Sequence, residues 1–349
     1  MKQAPSVLSL FRMAALALAG WAATAAAAPF THFEARQTHA IAITPDGTRL
    51  LALNSPAATL SVFDVSNAGA APVLLTEIPV GLEPVAVRVR SNDEAWVVNE
   101  VGDSVSIVSL SRSAVIATLP ASDEPGDVVF AQGKAFVSCA RNRLLRVFDA
   151  TTRVESPPIE LAGLDPRALA VDPSGAYVYA AFLLSGNKTT ILSRNDAPPQ
   201  PTPGNPSLPE PPLTGLIVNS GDPRIAHTVL DRDLAKIDAG TGSVMQYYEG
   251  AGTILFDVAV HPTTGELWVA NTEARNIVRF EPVLRGHFTD SRLTRIVPGT
   301  GATSILDLNA GTNYSVLPNP AAQATALAQP TGLVFAPDRC CSDSIVFPY

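Results

Sequence analysis

From residue 38 onward the chain alternates apolar and polar residues in runs of five or six, and the runs stop at turn signatures such as Pro45-Asp46-Gly47. Period-two alternation rich in Val, Ile and aromatic residues specifies strands with a buried face, not helices. Turns of this kind connect antiparallel neighbours. The runs themselves recur. Residues 40–65, 85–110 and 126–150 overlay one another, and further copies open at Arg167, Phe256 and Thr331. Pro84, Pro125 and Pro166 hold one position of the unit, 41 residues apart each time; Asn54 and Asn99 hold another, 45 apart. Phe182 and Asn271 lie 89 apart, close to two periods. A degenerate unit is therefore expected between them, with Leu234 to Glu249 as its second half.

A unit of about forty residues with four strands is one blade of a β-propeller. Fourth strands are visible at Pro72 to Gly81 and Ala114 to Pro120. The expected fold is all-β: four-stranded antiparallel blades, six to seven in number, with six recognisable units, one of them degenerate, and a fragment of a seventh at residue 331. Residues 31–37 are expected to pair with an outer strand.

The repeat resembles that of the YVTN-type β-propeller family of secreted bacterial and archaeal surface-layer proteins, which reads roughly PxxVAVTPDGxxLYVTNxxxxTVSVID. Trp96-Val97-Val98-Asn99 and Trp268-Val269-Ala270-Asn271 stand at the name-giving tetrapeptide, whereas Phe136-Val137-Ser138-Cys139 and Tyr179-Ala180-Ala181-Phe182 depart from it. The match covers most of residues 38–284 and a stretch near 330. It implies the fold; propellers host many functions, so it implies no single activity.

Two segments interrupt the pattern. Residues 197–212 hold eight prolines, which bars them from a sheet ladder; they read as a solvated extended spacer or as a strap for an aromatic groove. A long loop occupies 282–329, with Leu293 to Val297 as a strand that finishes the sixth unit. After Asp338 the pattern breaks off into Arg339-Cys340-Cys341. This reads as truncation of a longer propeller protein, with Ser344 to Phe347 as one last edge strand the alternative.

Composition and charge refine the setting. Lys2 and Arg12 precede the apolar stretch Met13 to Ala28, which ends in small residues before Pro29. This is a signal-peptide pattern with cleavage after Ala28, leaving a propeller over 29–349 and a periplasmic or secreted location. The formal charge of −8 falls to −10 on losing Lys2 and Arg12. An acidic chain lacks the basic face that nucleic acids require. No mature segment has 18 consecutive apolar residues, so no spanning helix is expected. The three cysteines include no CxxC or CxxCH, so no redox dithiol or covalent haem is expected, and no cofactor is assigned.

Candidate chemistry is sparse. None of the five histidines pairs at i,i+2 or i,i+4; His39 and His227 are placed to begin inner strands, and His261 reads as a turn residue. Asp64, Asp149 and Asp238 end third strands, where repetition in every unit favours turn chemistry over a cation ring. The same logic covers Asn54, Asn99 and Asn271. Asp127 and Asp257 differ because each lies inside a first strand, and first strands line a propeller's channel. Arg167 is assigned the matching place in the fourth unit and Val85 in the second. Asp127, Arg167 and Asp257 are therefore the candidate ligand-binding residues at one channel mouth, with Asp–Arg pairing across the mouth as the alternative. The expected function is a secreted, non-enzymatic scaffold binding a protein or small molecule. The rival is an enzyme, either a lactonase-like hydrolase or the propeller of a periplasmic oxidoreductase.

Overall fold

The computed structural model describes residues 37–197, 207, 215–229, 231–278, 284–336 and 344–346. The expected signal peptide, the outer-strand pairing of residues 31–36, most of the Pro-rich stretch, and Cys340 and Cys341 lie outside them.

Three sheets come from contiguous sequence. Blade 1 is β1 (Ile41–Ile43), β2 (Arg49–Asn54), β3 (Thr59–Asp64) and β4 (Val73–Pro79). Blade 2 is β5 (Pro84–Val89), β6 (Glu94–Asn99), β7 (Ser104–Ser109) and β8 (Ala114–Pro120). Blade 3 is β9 (Pro125–Ala131), β10 (Lys134–Cys139), β11 (Leu144–Asp149) and β12 (Glu155–Glu160). Each pairs in sequence order, all antiparallel. Blade 4 opens with β13 (Leu164–Val171) and β14 (Tyr177–Leu184), leaves the sheet for a hairpin of β15 (Thr189–Leu192) and β16 (Leu216–Asn219), and returns as β17 (Leu234–Asp238) and β18 (Val244–Tyr248). Blade 5 is β19 (Ile254–Val260), β20 (Leu267–Ala274), β21 (Thr289–Ile296) and β22 (Thr303–Asp307). A last pair joins β23 (Val334–Ala336) to β24 (Ser344–Val346).

The fold is a β-propeller, with five four-stranded blades and a two-stranded sixth sheet among the described residues. The unit count corrects the sequence expectation. Leu234–Asp238 pairs with Tyr177–Leu184, so it is the outer half of the fourth blade and not half of a separate one. The two-period spacing arises because the excursion between β14 and β17 is about as long as a blade. Of the run at Leu293 to Val297, Leu293 to Ile296 lie within β21, the third strand of blade 5, and β22 is the fourth.

Sheets stack through apolar layers. Leu51, Leu60, Val62 and Ile78 of blade 1 meet Val87, Ala95, Val97 and Val108 of blade 2. Similar layers join each later pair, the last holding Leu333 against Ala270 and Leu293. Trp96, fully buried, meets Phe130 edge to face at 5.4 Å between ring centroids. Entry into a blade is crowded. A Cβ on Gly163 would stand 2.5 Å from ring atoms of Phe182, and one on Gly252 would stand 2.1 Å from the Asn271 side-chain nitrogen. Only glycine lets the connector pass this close to the end of the second strand. Asn99 and Asn271 are thereby buried structural residues rather than turn residues: Asn99 donates to the Ser104 and Ser106 hydroxyls, and Asn271 to the Ala251 carbonyl. Asp64, Asp149 and Asp238 do accept amides of their own turns, from Ser66, Thr151 and Thr241.

Candidate functional site

Strand alternation in a four-stranded meander puts the second-to-third loops and the blade-to-blade connectors on one face and the short turns on the other. First strands start at the connector face and run inward along the axis. Two charged clusters follow from this arrangement, one deep in the axis and one at the connector-side mouth.

The deep cluster holds Asp127 and Asp257. The fully buried Asp127 carboxylate accepts from Arg88 Nε at 3.1 Å and Nη2 at 2.9 Å, from the Val128 amide at 2.8 Å and from the Leu169 amide at 2.9 Å. Arg88 Nη2 also donates to the Leu169 carbonyl at 3.1 Å. His39 lies between the two carboxylates, Nδ1 3.0 Å from Asp127 Oδ2 and Nε2 3.2 Å from Asp257 Oδ1. Asp257 accepts from the Val258 amide and, at 2.7 Å, from the Leu333 amide. His39 precedes β1, Arg88 is in β5, Asp127 in β9, Leu169 in β13, Asp257 in β19 and Leu333 precedes β23. One network thus ties the five blades and the β23–β24 pair at the axis, two cations against two carboxylates.

Charge states follow from this packing. Burial and the Arg88 guanidinium push the His39 pKa down, but Asp127 and Asp257 outweigh them and raise it from 6.5 to about 9. Burial opposes ionisation of Asp127, yet Arg88 and His39 hold its pKa well below the usual carboxylate range. Asp127 therefore has no proton at neutral pH, and the two carboxylates favour the protonated form of His39 against the opposing Arg88 guanidinium, whose Nη2 lies 2.8 Å from His39 Nδ1. A histidine whose pKa is raised on folding contributes stability that is complete below the unfolded value and lost as pH rises through the folded one. Stability is expected to fall between pH 6.5 and about 9, and His39→Gln to flatten that decline. Denaturant unfolding of both proteins across this range checks it; equal slopes would refute the assignment.

Arg167 belongs to the mouth instead. Pro84, Pro125 and Pro166 pair with Asn99, Cys139 and Phe182, so the residue matching Asp127 in blade 4 is Ala168, and in blade 2 Ala86. The sequence assignment of Arg167 and Val85 to that place is one residue out of register, which turns the side chain away from the axial network. Arg167 Nη1 meets Glu100 at 2.6 Å, Nε meets Asp165 at 2.8 Å and Nη2 meets Glu124 at 3.4 Å. Glu124 and Asp165 immediately precede the blade-opening prolines, at φ of 54° and 58°. Proline disfavours αR in the residue before it, and here the turn holds that residue left-handed, aiming its carboxylate at the mouth. Glu100 is 6% exposed, and its Oε2 has no hydrogen-bond partner among the described residues. Glu124 is also paired with Arg141 Nε at 2.7 Å, so three carboxylates against two guanidiniums leave this cluster a formal charge of −1.

Other candidates resolve plainly. His227 is exposed beside Thr190, away from the axial network. His261 accepts turn amides from Thr263 and Thr264. Among the described residues no three His, Cys, Asp or Glu side chains are grouped to hold a metal ion, and no helix is long and apolar enough to cross a membrane. The connector face also carries the loop after β22, which encloses a cleft of about 410 Å3 lined by Asn309, Thr312, Asn313 and Asn319. That loop is pinned by Arg285 donating to the Tyr314 and Ser315 carbonyls and by His287 stacked on Tyr314. Arg88 and Glu100 were missed in the sequence. A lone Arg in the apolar run Pro84–Val89, and a Glu directly after the repeat's Asn99, were the available signals.

Similarity to solved structures accords with this geometry. Hydrazine synthase from Kuenenia stuttgartiensis superposes with a TM-score of 0.58 at 18% identity, over 80% of this chain and 69% of that one. A 6-phosphogluconolactonase-like protein from Bacteroides uniformis gives 0.55 at 13% identity, over 88% and 77%. A functionally unknown protein from Desulfotomaculum acetoxidans gives 0.50 at 11%, over 77% and 68%. At such identities the likeness is one of fold alone. No family model matches the sequence, and no curated protein does.

Proposed function

We propose that this chain is an exported, non-enzymatic β-propeller of the YVTN type that binds a cationic ligand, or a cationic side chain of a protein partner, at the connector-side mouth. The supporting observation is the unpartnered Oε2 of buried Glu100 within a cluster of formal charge −1. An unsatisfied buried carboxylate oxygen is costly, and a donor from outside relieves it. The long loops of the same face add contact area on a rigid scaffold. The signal-peptide pattern supports export to the periplasm or beyond.

The hydrolase reading draws on the axial His39, Arg88, Asp127 and Asp257 cluster. That cluster is ill suited to acid–base work: both ring nitrogens of His39 are taken up between Asp127, Asp257 and Arg88, and the Asp127 carboxylate is fully engaged between sheets. The mature chain used as bait in periplasmic extract, beside Glu100→Gln, tests the proposal. The expected result is a molecule retained by the first and at least about tenfold depleted on the second. Equal retention by both, or lactone hydrolysis abolished by His39→Gln, would overturn it.

A further inference from the structure

Blade 4 buries a carboxylate that the repeat does not call for. Asp233 directly precedes β17, and its carbonyl accepts from the Phe182 amide at 2.9 Å. At the same place blades 1, 2, 3 and 5 carry Thr59, Ser104, Leu144 and Arg292. The Asp233 side chain is fully buried. Its Oδ2 accepts from the Ala251 amide, in the connector to blade 5, while Oδ1 has no hydrogen-bond partner among the described residues. Asp231, two residues earlier, is 6% exposed, and neither of its carboxylate oxygens has such a partner.

The charges around this pair do not balance. Lys188 Nζ, on the outgoing arm of the excursion, lies 3.3 Å from Asp231 Oδ2 and 3.1 Å from Glu249 Oε2. One ammonium thus faces two carboxylates before Asp233 is counted. From blade 5, Arg292 donates to the Ala251 carbonyl and to Glu273 instead. The Arg232 guanidinium lies over the Tyr247 ring. An ionised Asp233 would therefore be buried with an orphan oxygen, beside a like charge and with no cation of its own. A proton on Oδ1 removes that charge and turns the orphan acceptor into a donor. Asp231 and Ser185 both act on this carboxyl and can accept from it; the Ser185 hydroxyl spends its own hydrogen on the Gly252 carbonyl. A metal ion suits the place less well, because the connector turns the Gly250, Ala251 and Gly252 amides toward the two carboxylates, donors where a cation needs oxygens.

We infer that the return arm of the excursion, Asp231 to Asp233, is a proton-operated latch, closed on the connector between blades 4 and 5 while Asp233 holds a proton and opened when that proton leaves. Opening breaks only the outermost ladder bonds of Asp233, to the Phe182 amide and the Tyr248 carbonyl, and leaves β17 paired. The excursion stands on the connector face, so the latch sets what that face exposes; it does not depend on the cationic ligand proposed for the mouth. Burial, reinforced by the Asp231 charge against the Ala251 amide, lifts the Asp233 pKa from 3.8 to about 7. A group whose pKa is raised on closure favours the closed form fully below its open-state value and loses that contribution as pH rises through the closed-state one. Closure is thus strongest in acid and weakens between pH 3.8 and about 7.

Hydrogen exchange of the mature chain, corrected for intrinsic rates, tests this. Peptides spanning 231–235 and 249–253 report the latch, and β6 reports global opening, including the part due to His39. From about pH 5 to about pH 8 the latch peptides are expected to lose protection at least about tenfold beyond any loss in β6. Asp233→Asn keeps an acceptor for the Ala251 amide, offers N–H in place of O–H and does not ionise, so its latch should stay closed throughout. Asp231→Asn, which removes the neighbouring charge, should move the midpoint of the loss toward acid. No excess loss in the native protein, the same loss in Asp233→Asn, or an unmoved midpoint in Asp231→Asn overturns the inference. The infrared carbonyl band of a protonated carboxylic acid reads the proton directly: it should be present in the native protein at about pH 6, fade by about pH 8 and be missing from Asp233→Asn. Its absence at the lower pH overturns the inference. Protection restored at the higher pH by calcium alone would make a metal ion the occupant and overturns the proton assignment.

Discussion

Replacing Asp127 with alanine is expected to lower the unfolding free energy by about 3–5 kcal/mol, the usual cost of removing one member of a buried ion pair. The size follows from what is left behind. Arg88 loses its two-point partner, His39 loses one of the two carboxylates that keep it charged, and the Leu169 amide of the next blade loses its acceptor. Asp127→Asn should recover part of the loss, since its carbonyl can still accept from Leu169 or Val128. Combining Asp127→Leu with Arg88→Met should recover more, because no uncompensated charge stays buried. Urea unfolding of the four proteins checks the order; a loss under about 1 kcal/mol for Asp127→Ala would show that the axial network does not hold the blades together. The same reasoning applies to Asp257. A carboxylate engaged by His39 and the Leu333 amide is expected to be missed when removed.

Gly163→Ala is expected to cost about 1–3 kcal/mol, although alanine is the smallest change available. Its Cβ would fall 2.5 Å from three atoms of the Phe182 ring, and that ring is fully buried between blades 3 and 4. A ring fixed on all sides can move only by shifting its sheet. Phe182→Leu alone leaves a void and destabilises. In the double variant the shorter side chain makes room for the new methyl, so the two losses should sum to more than the double variant shows. Thermal unfolding of the four-member cycle measures the coupling; strict additivity would mean that the connector, not the ring, gives way.

The propeller was legible because blades 1 to 3 repeat without interruption: proline, alternating run, turn and alternating run recur at fixed intervals. The blade count was not, because spacing cannot distinguish a weak blade from an excursion of equal length, and only the pairing of Tyr177–Leu184 with Leu234–Asp238 does. Asp127 and Asp257 stood out as charges in apolar strands, and they do share one network. Arg167 was read in the wrong register, since a one-residue slip in a period-two element reverses the side chain. What His39 and Arg88 contribute was hidden for another reason. The groups they bond lie on other sheets, and no local pattern records a contact between His39 and Asp257.

The excursion that splits blade 4 also sets an order of assembly. Blades 1 to 3 need only neighbouring sequence, so each can close soon after its fourth strand has emerged. Blade 4 has to hold β14 open until β17 arrives, and β14 also meets β19, later still in the chain, through Leu184 and Ile254. Ladders that close across long separations form late. The first half of the molecule is thus a finished template before the second half commits, and the contact of His39 with Asp257 fastens the oldest part of the chain to one of the newest.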